Sequence, residues 1–197
     1  MIKIFNKWSV EGIAVADTGV ADYITLDPKI VPKTGARYAG QKFHKSKVFI
    51  VERLINKIMV PGHRGKKHFR SSGQCCGKKS KAYNAVEKAF GMIELRLKKN
   101  PVEVFVTGLV NACPREEIVS IEYGGARYPK SVEVGSQRRI DLVLRYMVQG
   151  AYGRSFRSKI SIEQALADEI IGAFQRSAKS NAISKKRDLE RQAASAK

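Results

Sequence analysis

The chain has 197 residues and carries 37 lysines and arginines against 18 aspartates and glutamates, a formal net charge of +19 at pH 7. With 43% apolar residues it can bury one hydrophobic core, which argues against a wholly disordered chain. Because so large an excess of one charge repels itself in a compact fold, it indicates a polyanionic partner, with nucleic acid the first candidate and anionic lipid the second.

The first 27 residues differ in charge from the rest of the chain. They contain two lysines and four acidic residues, a net charge of −2, so the remaining residues carry +21. The opening residues lack the apolar stretch and cleavage site of a secretory signal. No apolar run in the chain reaches the roughly 18 residues of a membrane-spanning helix. We therefore expect a cytoplasmic protein with no membrane partner.

A basic stretch follows, with no acidic residue between Asp27 and Glu52. Pro32, Gly35 and Gly40 interrupt its lysines and arginines. Turn-forming residues in a basic stretch predict an extended arm rather than packed structure. We therefore assign residues 1–47 to an N-terminal extension that includes this basic arm, and residues 48–197 to a helical domain.

A second acid-free stretch runs from Arg53 to Val86, and much of it is a glycine-rich loop between Pro61 and Gly77. A merely soluble surface normally mixes charges of both signs. These long stretches of one sign therefore favour contact with phosphate groups over a simple solvated face.

The same loop contains the residues that most resemble a metal site. His63, His68, Cys75 and Cys76 offer nitrogen and sulfur ligands for zinc, but adjacent cysteines do not readily present both sulfurs to one tetrahedral ion. Three cysteines, two of them adjacent, also do not look like a disulfide framework. We therefore expect free thiols in a reducing compartment and no metal ion or other cofactor.

Hydrophobic periodicity predicts about six helices, and several of them begin with recognisable caps. The last one has few apolar residues, so we expect it to need a surface to lie against. The predicted helices are residues 47–59 with Ser46 as cap, 79–99, 101–113 with Asn100 as cap and Pro101 at the first position, 136–150 with Ser136 as cap and Gly150 at the end, 162–174 with a capping box of Ser161 and Gln164, and 184–194.

A β-hairpin ribbon is predicted at about residues 119–134, between the third and fourth helices. Val119, Ile121 and Tyr123 alternate with polar residues, a Gly-Gly turn follows, and the alternation then resumes. Pro129 cannot donate a ladder hydrogen bond, so the ribbon must be short-paired or consist only of edge strands. The fold class is therefore mainly α, with an inserted ribbon and a basic N-terminal arm.

The sequence offers no constellation typical of catalysis. The carboxylate pairs Glu116-Glu117 and Asp168-Glu169 are sequence neighbours that point in different directions, so we expect them to be solvated surface groups. No phosphate-binding P-loop occurs, and no dinucleotide-type glycine fingerprint follows a predicted strand. We therefore expect no enzymatic activity.

Several short motifs, in order and in register, resemble the family of ribosomal protein seven of the small subunit. The N-terminal residues, with Trp8–Glu11 and Arg37–Ala39, resemble its archaeal and eukaryotic branch, and His68-Phe69-Arg70 resembles the archaeal form in particular. The motifs that carry the family resemblance are Ile50–Asn56, Gly77–Tyr83, Asn100-Pro101, Pro114–Glu116, Gly124-Gly125, Arg138-Arg139 and Leu166–Ile170.

The resemblance implies a bundle of about six helices with a ribbon between the third and fourth, in agreement with the count from periodicity. It also implies a structural component of the small ribosomal subunit that binds the 3′ major domain of the rRNA and nucleates assembly of the subunit head. Members of the family lie near the exit-site tRNA and the mRNA exit path, and they touch the platform protein numbered eleven.

Charge placement and family position together select two groups of contact residues. The ribbon and the C-terminal helix are expected on the side of the tRNA and mRNA, with Arg127, Tyr128, Lys185, Lys186 and Arg187. The residues expected to contact rRNA phosphates are Arg37, Lys42, Lys45, Arg64, Lys66, Lys67, Arg70, Lys78, Lys79, Lys81, Arg115, Arg138, Arg139, Arg154 and Arg157.

A basic helical DNA-binding or chromatin-type protein is the main alternative, since the same net charge would suit it. Such readers usually present one recognition helix and a self-pairing surface, whereas the basic residues here are spread over an arm, a loop and several helix ends. Dispersed charge favours a folded RNA that surrounds the protein. An RNA-modifying enzyme would need a cofactor loop or convergent acid and base residues, and neither is visible.

Overall fold

A computed structural model describes residues 2–61 and 74–197 with their side chains, and the backbone of residues 63–64 and 67–68. Within these residues the chain forms seven α-helices and two antiparallel two-stranded sheets, β1–β2 and β3–β4. None of the described helices combines the length and apolar character needed to cross a membrane. The elements are α1 (Thr18–Ala21), α2 (Ile50–Ile58), β1 (His63–Arg64), β2 (Lys67–His68), α3 (Lys79–Leu97), α4 (Pro101–Ala112), β3 (Glu116–Tyr123), β4 (Ala126–Glu133), α5 (Ser136–Ser155), α6 (Ile162–Phe174) and α7 (Asn181–Ser195).

The predicted fold class is confirmed: the described chain is mainly helical, and the ribbon of β3 and β4 lies between α4 and α5. The six predicted helices correspond to α2 through α7. The additional helix, α1, is a single turn that Asp17 caps by accepting a hydrogen bond from the backbone N–H of Gly19. A turn this short has no apolar periodicity from which it could be predicted.

The hydrophobic core lies between α3, α4, α5 and α6. Phe90, Phe105 and Leu109 are fully buried in it. The axes of α4 and α6 come close together at Gly108, where an added Cβ would lie 3.2 Å from the backbone nitrogen of Phe174 and 3.3 Å from the carbonyl oxygen of Ile170. A side chain at this position would therefore force the two helices apart.

Two of the predicted helix caps are confirmed, and two are wrong. The Asn100 side chain accepts a hydrogen bond from the backbone N–H of the second residue of α4, and the Ser161 hydroxyl accepts one from the third residue of α6, as N-caps do. Ser46 does not cap α2, because it lies in a 3₁₀ turn and its hydroxyl donates to the carbonyl of Phe43. Ser136 is the first helical residue of α5, and the cap position is Gly135.

Helix α5 continues through Gly150 to Ser155 instead of ending at the glycine. Close packing between helices explains why a glycine stands inside this helix. An added Cβ at Gly150 would lie 2.7 Å from the Cβ of Asn181 at the start of α7 and 2.9 Å from Oε2 of Glu169 on α6. Here the glycine is a point of close approach between helices and not a helix end.

The start of the chain packs into the same core as the helices. Phe5 makes edge-to-face contacts with Trp8 and Tyr83, and the indole N–H of Trp8 donates to the carboxylate of Glu94 over 2.9 Å. Residues 28–47, by contrast, contain only loops and two 3₁₀ turns, Arg37–Gly40 and His44–Lys47. The division between residues 1–47 and 48–197 stays a prediction.

The ribbon pairs eight residues of each strand, from Glu116 opposite Glu133 to Tyr123 opposite Ala126. It therefore begins three residues earlier than predicted. Pro129 lies opposite Ser120. In the described part of the chain neither strand has a second neighbour, so both are edge strands. This is one of the two arrangements predicted from Pro129, which cannot donate a ladder hydrogen bond.

Helix α7 lies against the base of the ribbon, which provides the surface that its polar sequence needs. Its Glu190 accepts a hydrogen bond from the backbone N–H of Arg115 over 3.1 Å. Beyond its end, Lys197 forms a 2.7 Å ion pair with Glu116. The direction in which the ribbon leaves the core is thus set by the C-terminal helix.

The carboxylate pairs are not all solvated surface groups. Glu117 makes a bidentate ion pair with Arg138, over 2.7 and 2.9 Å, and Asp168 pairs with Arg96. Glu169 is fully buried, which corrects the expectation for this residue. Its neighbour on the helix faces solvent because successive helical residues point in directions about 100° apart.

Candidate RNA interface

One basic surface is a cavity of about 680 Å³ formed by the arm, which we call the arm pocket. Lys29, Lys33, Arg37, His44 and Lys47 line it, together with the ring of Tyr38. Its described lining contains no acidic residue. Cationic side chains around an aromatic ring suit a phosphate with an adjoining base or sugar.

The arm pocket is held in shape by a buried carboxylate. Glu52 on α2 is fully buried, and its Oε1 accepts hydrogen bonds from the backbone N–H of Thr34 over 2.7 Å, from the Thr34 hydroxyl over 2.9 Å and from Lys79 over 2.9 Å. Burial acts to raise the pKa of Glu52, but the bonds from Lys79 and Thr34 outweigh it and leave the pKa below its usual value. Since Thr34 lines the pocket, α2 fixes the position of its wall.

A second basic surface is a cleft of about 550 Å³ where the N-terminal segment, the end of α4 and α7 meet, which we call the basic cleft. Its cationic residues are Arg115, Arg139, Arg176, Lys186 and Arg187, and its acidic residues are Asp17 and Glu190. The cations therefore outnumber the acids by five to two. This cleft brings together residues that were selected separately, from the ribbon base, from α5 and from the C-terminal helix.

The side chains of the basic cleft are held by short polar contacts. Arg139 pairs with Asp17 over 2.7 Å and donates to the carbonyl of Pro114 over 3.1 Å. Lys186 donates to the carbonyl of Asn111 over 2.8 Å, and burial lowers its pKa. Burial also raises the pKa of Cys113, to about 12, so the thiol at the cleft is neutral and unreactive.

The predicted rRNA contacts fall into three groups. Arg37, Lys42, Lys78, Lys81, Arg115 and Arg157 are exposed and form no ion pair with the described residues. Lys45, Lys79, Arg138, Arg139 and Arg154 are ion-paired, with Asp141, Glu52, Glu117, Asp17 and Glu169 respectively. Lys66 and Arg70 lie outside the described residues, and Arg64 and Lys67 are described only as backbone in β1 and β2.

The pairing changes what each cation can offer to a phosphate. An ion-paired lysine or arginine presents less net charge than a free one, because its carboxylate partner repels the same phosphate. We therefore expect the exposed, unpaired group to supply most of the salt-dependent attraction. Which of these residues contact RNA stays a prediction.

The ribbon presents an exposed face of apolar and aromatic side chains. Ile121 lies directly opposite Tyr128, and their exposed fractions are 48% and 58%. Tyr123 on the same face is 81% exposed. Arg127 projects from the other face and lies 3.6 Å from Glu122. The structure thus separates the two ribbon residues selected from the sequence, Arg127 and Tyr128, onto opposite faces.

Several residues that line these surfaces were not among those selected from the sequence. Lys29, Lys33 and Lys47 belong to the acid-free stretch, so the signal for them was present, but nothing in the sequence showed that they share one cavity. Arg176 reaches the basic cleft because it follows α6 directly, where its Nε donates to Asn111 over 3.1 Å. Of the C-terminal cations, Lys185 stands apart from the cleft, 3.8 Å from Asp188.

The described cysteines and acidic residues form no cluster of the kind that binds a metal ion. Cys75, Cys76 and Cys113 are free cysteines. In residues 2–61 and 74–197, no three histidine, cysteine, aspartate or glutamate side chains are grouped as metal ligands would be. The imidazole rings of His63 and His68 lie outside the described side chains.

A helical bundle with two cationic surfaces and a ribbon standing out from its core presents the lysine and arginine side chains with which proteins contact the phosphates of nucleic acids. The chain belongs to the family described as Ribosomal protein S7p/S5e, which matches residues 20–197. This family consists of structural proteins of the ribosome. The resemblance found in the sequence is thereby confirmed.

Three relatives named Small ribosomal subunit protein uS7 are similar to this chain over almost its whole length. The protein from Nanoarchaeum equitans is 48% identical over 196 residues, which is 100% of this chain and 99% of the relative. That from Archaeoglobus fulgidus is 45% identical over 98% of this chain and 94% of the relative. That from Methanothrix thermoacetophila is 44% identical over 100% of both.

Proposed function

We propose that this protein binds the 3′ major domain of small-subunit rRNA as a structural component of the subunit and nucleates assembly of its head. The observation that carries the proposal is the spread of cations over several elements of one bundle, in the arm pocket with the adjoining start of α3 and in the basic cleft. Its place of action is the ribosome in the cytoplasm, and its role is architectural rather than catalytic.

The dispersed charge also weighs against the DNA-binding alternative. A protein that reads duplex DNA presents one element to one groove. Here the exposed, unpaired cations lie on the arm, at the start of α3, at the base of the ribbon and after α5. Cations spread over several elements suit a folded RNA, whereas a reader of duplex DNA presents one element to one groove.

The first test compares an isolated 3′ major domain RNA with duplex DNA of equal length. We expect the RNA to bind far more tightly, with affinity falling about 10³-fold or more between 50 and 200 mM salt because many phosphates are neutralised. Filter binding or fluorescence anisotropy over a salt series measures both, and an RNA of equal length from another rRNA domain is the control. Equal affinity for RNA and DNA at the same salt would contradict the proposal.

For the ribbon we propose a separate role, at the exit-site tRNA and the mRNA exit path, next to the platform protein numbered eleven. Support comes from its exposed face of Ile121, Tyr123 and Tyr128, which suits base stacking or an apolar protein contact. On this view the ribbon and the C-terminal residues Lys185, Lys186 and Arg187 face tRNA and mRNA, while the arm and the rest of the bundle hold rRNA. Lys186 and Arg187 also line the basic cleft, so the two surfaces meet there.

Deleting residues 121–131 and joining the strands with two glycines tests this division. We expect affinity for the 3′ major domain RNA to change less than about threefold, because the arm pocket and the basic cleft remain. Exit-site tRNA occupancy or reading-frame maintenance should decline in ribosomes that carry the variant. The matched control keeps the ribbon and replaces only Tyr128 with alanine. If the deletion abolishes rRNA binding, the ribbon belongs to the rRNA interface.

A further inference from the structure

Helices α2 and α5 pack side by side, and their charged residues face each other in two successive levels. Arg53 and Lys57 lie four residues apart on one face of α2, and Asp141 and Arg145 lie four residues apart on one face of α5. At the first level the charges are opposite, because Arg53 Nη2 lies 3.1 Å from Asp141 Oδ1. The two helices run in the same direction, because Ile58 near the end of α2 and Tyr152 near the end of α5 line one pocket. At the second level, one turn beyond the ion pair, Lys57 therefore lies near Arg145, and both are cationic.

The carboxylate of Asp141 is already committed. Its Oδ1 accepts from Arg53, and its Oδ2 accepts from Lys45. Arg53 is 7% exposed, and its other terminal nitrogen donates to the carbonyl of Tyr23 over 3.0 Å. This pair, with Arg53 buried and Asp141 half-buried, therefore forms a fixed floor, and the second level forms no ion pair of its own with the described residues.

The charge balance at this place is unfavourable in the free protein. Lys45 and Arg53 contact the single carboxylate of Asp141, and Lys57 and Arg145 add two further cations nearby, a formal excess of three positive charges. Lys57 is partly buried, and burial, followed by the charge of Arg145, lowers its pKa. Burial and a like charge both disfavour the ionised form of Lys57. An anion that binds here therefore supplies the negative charge that the protein itself lacks at this place.

We propose that Lys57 and Arg145 hold one backbone phosphate of the bound RNA, on the floor formed by Arg53 and Asp141. The guanidinium of Arg145 offers a planar pair of N–H donors, and Lys57 offers a compact charge. The identity of the phosphate's source rests on the function proposed above. Neither Lys57 nor Arg145 was selected from the sequence as an rRNA contact.

The arrangement makes a prediction that an ordinary surface charge would not. If Arg145 were acidic, the second level would repeat the ion pair of the first. Replacing Lys57 with methionine instead removes one of the two like charges, so that Arg145 no longer has a cation beside it. Both changes should therefore stabilise the free protein while they weaken RNA binding. Residues that lower the stability of the free protein but raise its affinity for a ligand are typical of binding sites.

The test uses the full-length protein and the variants Lys57→Met, Arg145→Glu and Lys88→Glu, the last a charge-reversal control at an exposed position of α3. We expect the first two variants to melt about 2–4 °C higher than wild type. Each should bind the 3′ major domain RNA at least about tenfold more weakly, and for Lys57→Met the salt slope should fall by about one. Lys88→Glu should leave the melting temperature unchanged and weaken binding less than about threefold.

Melting in inorganic phosphate against chloride at equal ionic strength separates this proposal from the function it rests on. Wild type should be stabilised by phosphate more than Lys57→Met and Arg145→Glu are. If wild type fails to bind the RNA yet shows this difference, the anion site stands and the source of its phosphate is wrong. If Lys57→Met and Arg145→Glu lose stability, or bind the RNA as tightly as Lys88→Glu does, the site itself is refuted.

Discussion

Replacing Glu52 with leucine is expected to lower the free energy of unfolding by about 3 kcal/mol, because one buried carboxylate oxygen serves three donors. The backbone and hydroxyl of Thr34 and the ammonium of Lys79 would all lose their acceptor. The arm pocket would lose the contact that fixes its wall, so affinity for rRNA should fall as well. Urea unfolding and an RNA titration measure the two effects.

The matched control for this prediction is Glu52→Gln, which keeps a carbonyl oxygen for Thr34 and removes only the charge. We expect it to lose about half as much stability as the leucine variant. Equal losses for the two variants would show that the hydrogen bonds to Thr34 contribute little, and that the ion pair with Lys79 accounts for the whole effect.

The lowered pKa of Glu52 also predicts how its contribution depends on pH. Because the pKa of the folded state lies below the ordinary value of 4.5, the stabilisation is fully present above that value and is lost as the pH falls below it. The difference in free energy of unfolding between wild type and Glu52→Gln should therefore shrink as the pH is lowered from about 5 to 3.

Replacing Glu169 with leucine should have an effect of similar size, about 3 kcal/mol, at the opposite end of the chain. The buried Oε1 of Glu169 accepts from the Ser180 hydroxyl over 2.7 Å and from the backbone N–H of Ala182 over 3.0 Å, so it holds the first turn of α7. Glu169→Gln keeps this oxygen and should lose less than about 1 kcal/mol at pH 7. Thermal unfolding, followed by far-UV circular dichroism, tests both variants.

The sign of the pH dependence is reversed at Glu169. Burial raises its pKa, so the folded state binds a proton more readily than the unfolded state does, and stability from this group declines as the pH rises above 4.5. Compared with Glu169→Gln, wild type should therefore gain relative stability as the pH falls from 7 towards 4.5. A flat difference across this range would show that the carboxylate is no harder to ionise in the fold than in the unfolded chain.

The parts of the fold that were predictable are those that neighbouring residues decide. Asn100 and Ser161 cap their helices because the donors they satisfy lie two or three residues away. The ribbon was predicted because its alternation and its Gly-Gly turn are local signals. Ser136 and Gly150 misled because a possible cap and a possible helix end were judged without the helix packing that overrides them.

The arrangement of the site depends on contacts between residues far apart in the sequence, and local patterns cannot show these. Glu52 reaches Thr34 and Lys79, which are 18 and 27 residues away. The charge pattern of the sequence does not distinguish Lys45, which is tied to Asp141, from Arg37, which is exposed and unpaired. The family resemblance supplied the identity of the polyanion, which charge alone left open.

Among the described residues the ribbon is held near its base, by α7 and by the ion pair of Glu117 with Arg138, so its tip moves further than its base when the ribbon tilts. Eight residues of β-strand extend about 27 Å. A tilt of about 10° where Glu190 and Lys197 contact the ribbon would thus carry Gly124 and Gly125 through about 5 Å, the width of one strand in a sheet. Small adjustments of the C-terminal helix are therefore amplified at the turn, so the final residues of the chain control how far the ribbon tip can reach.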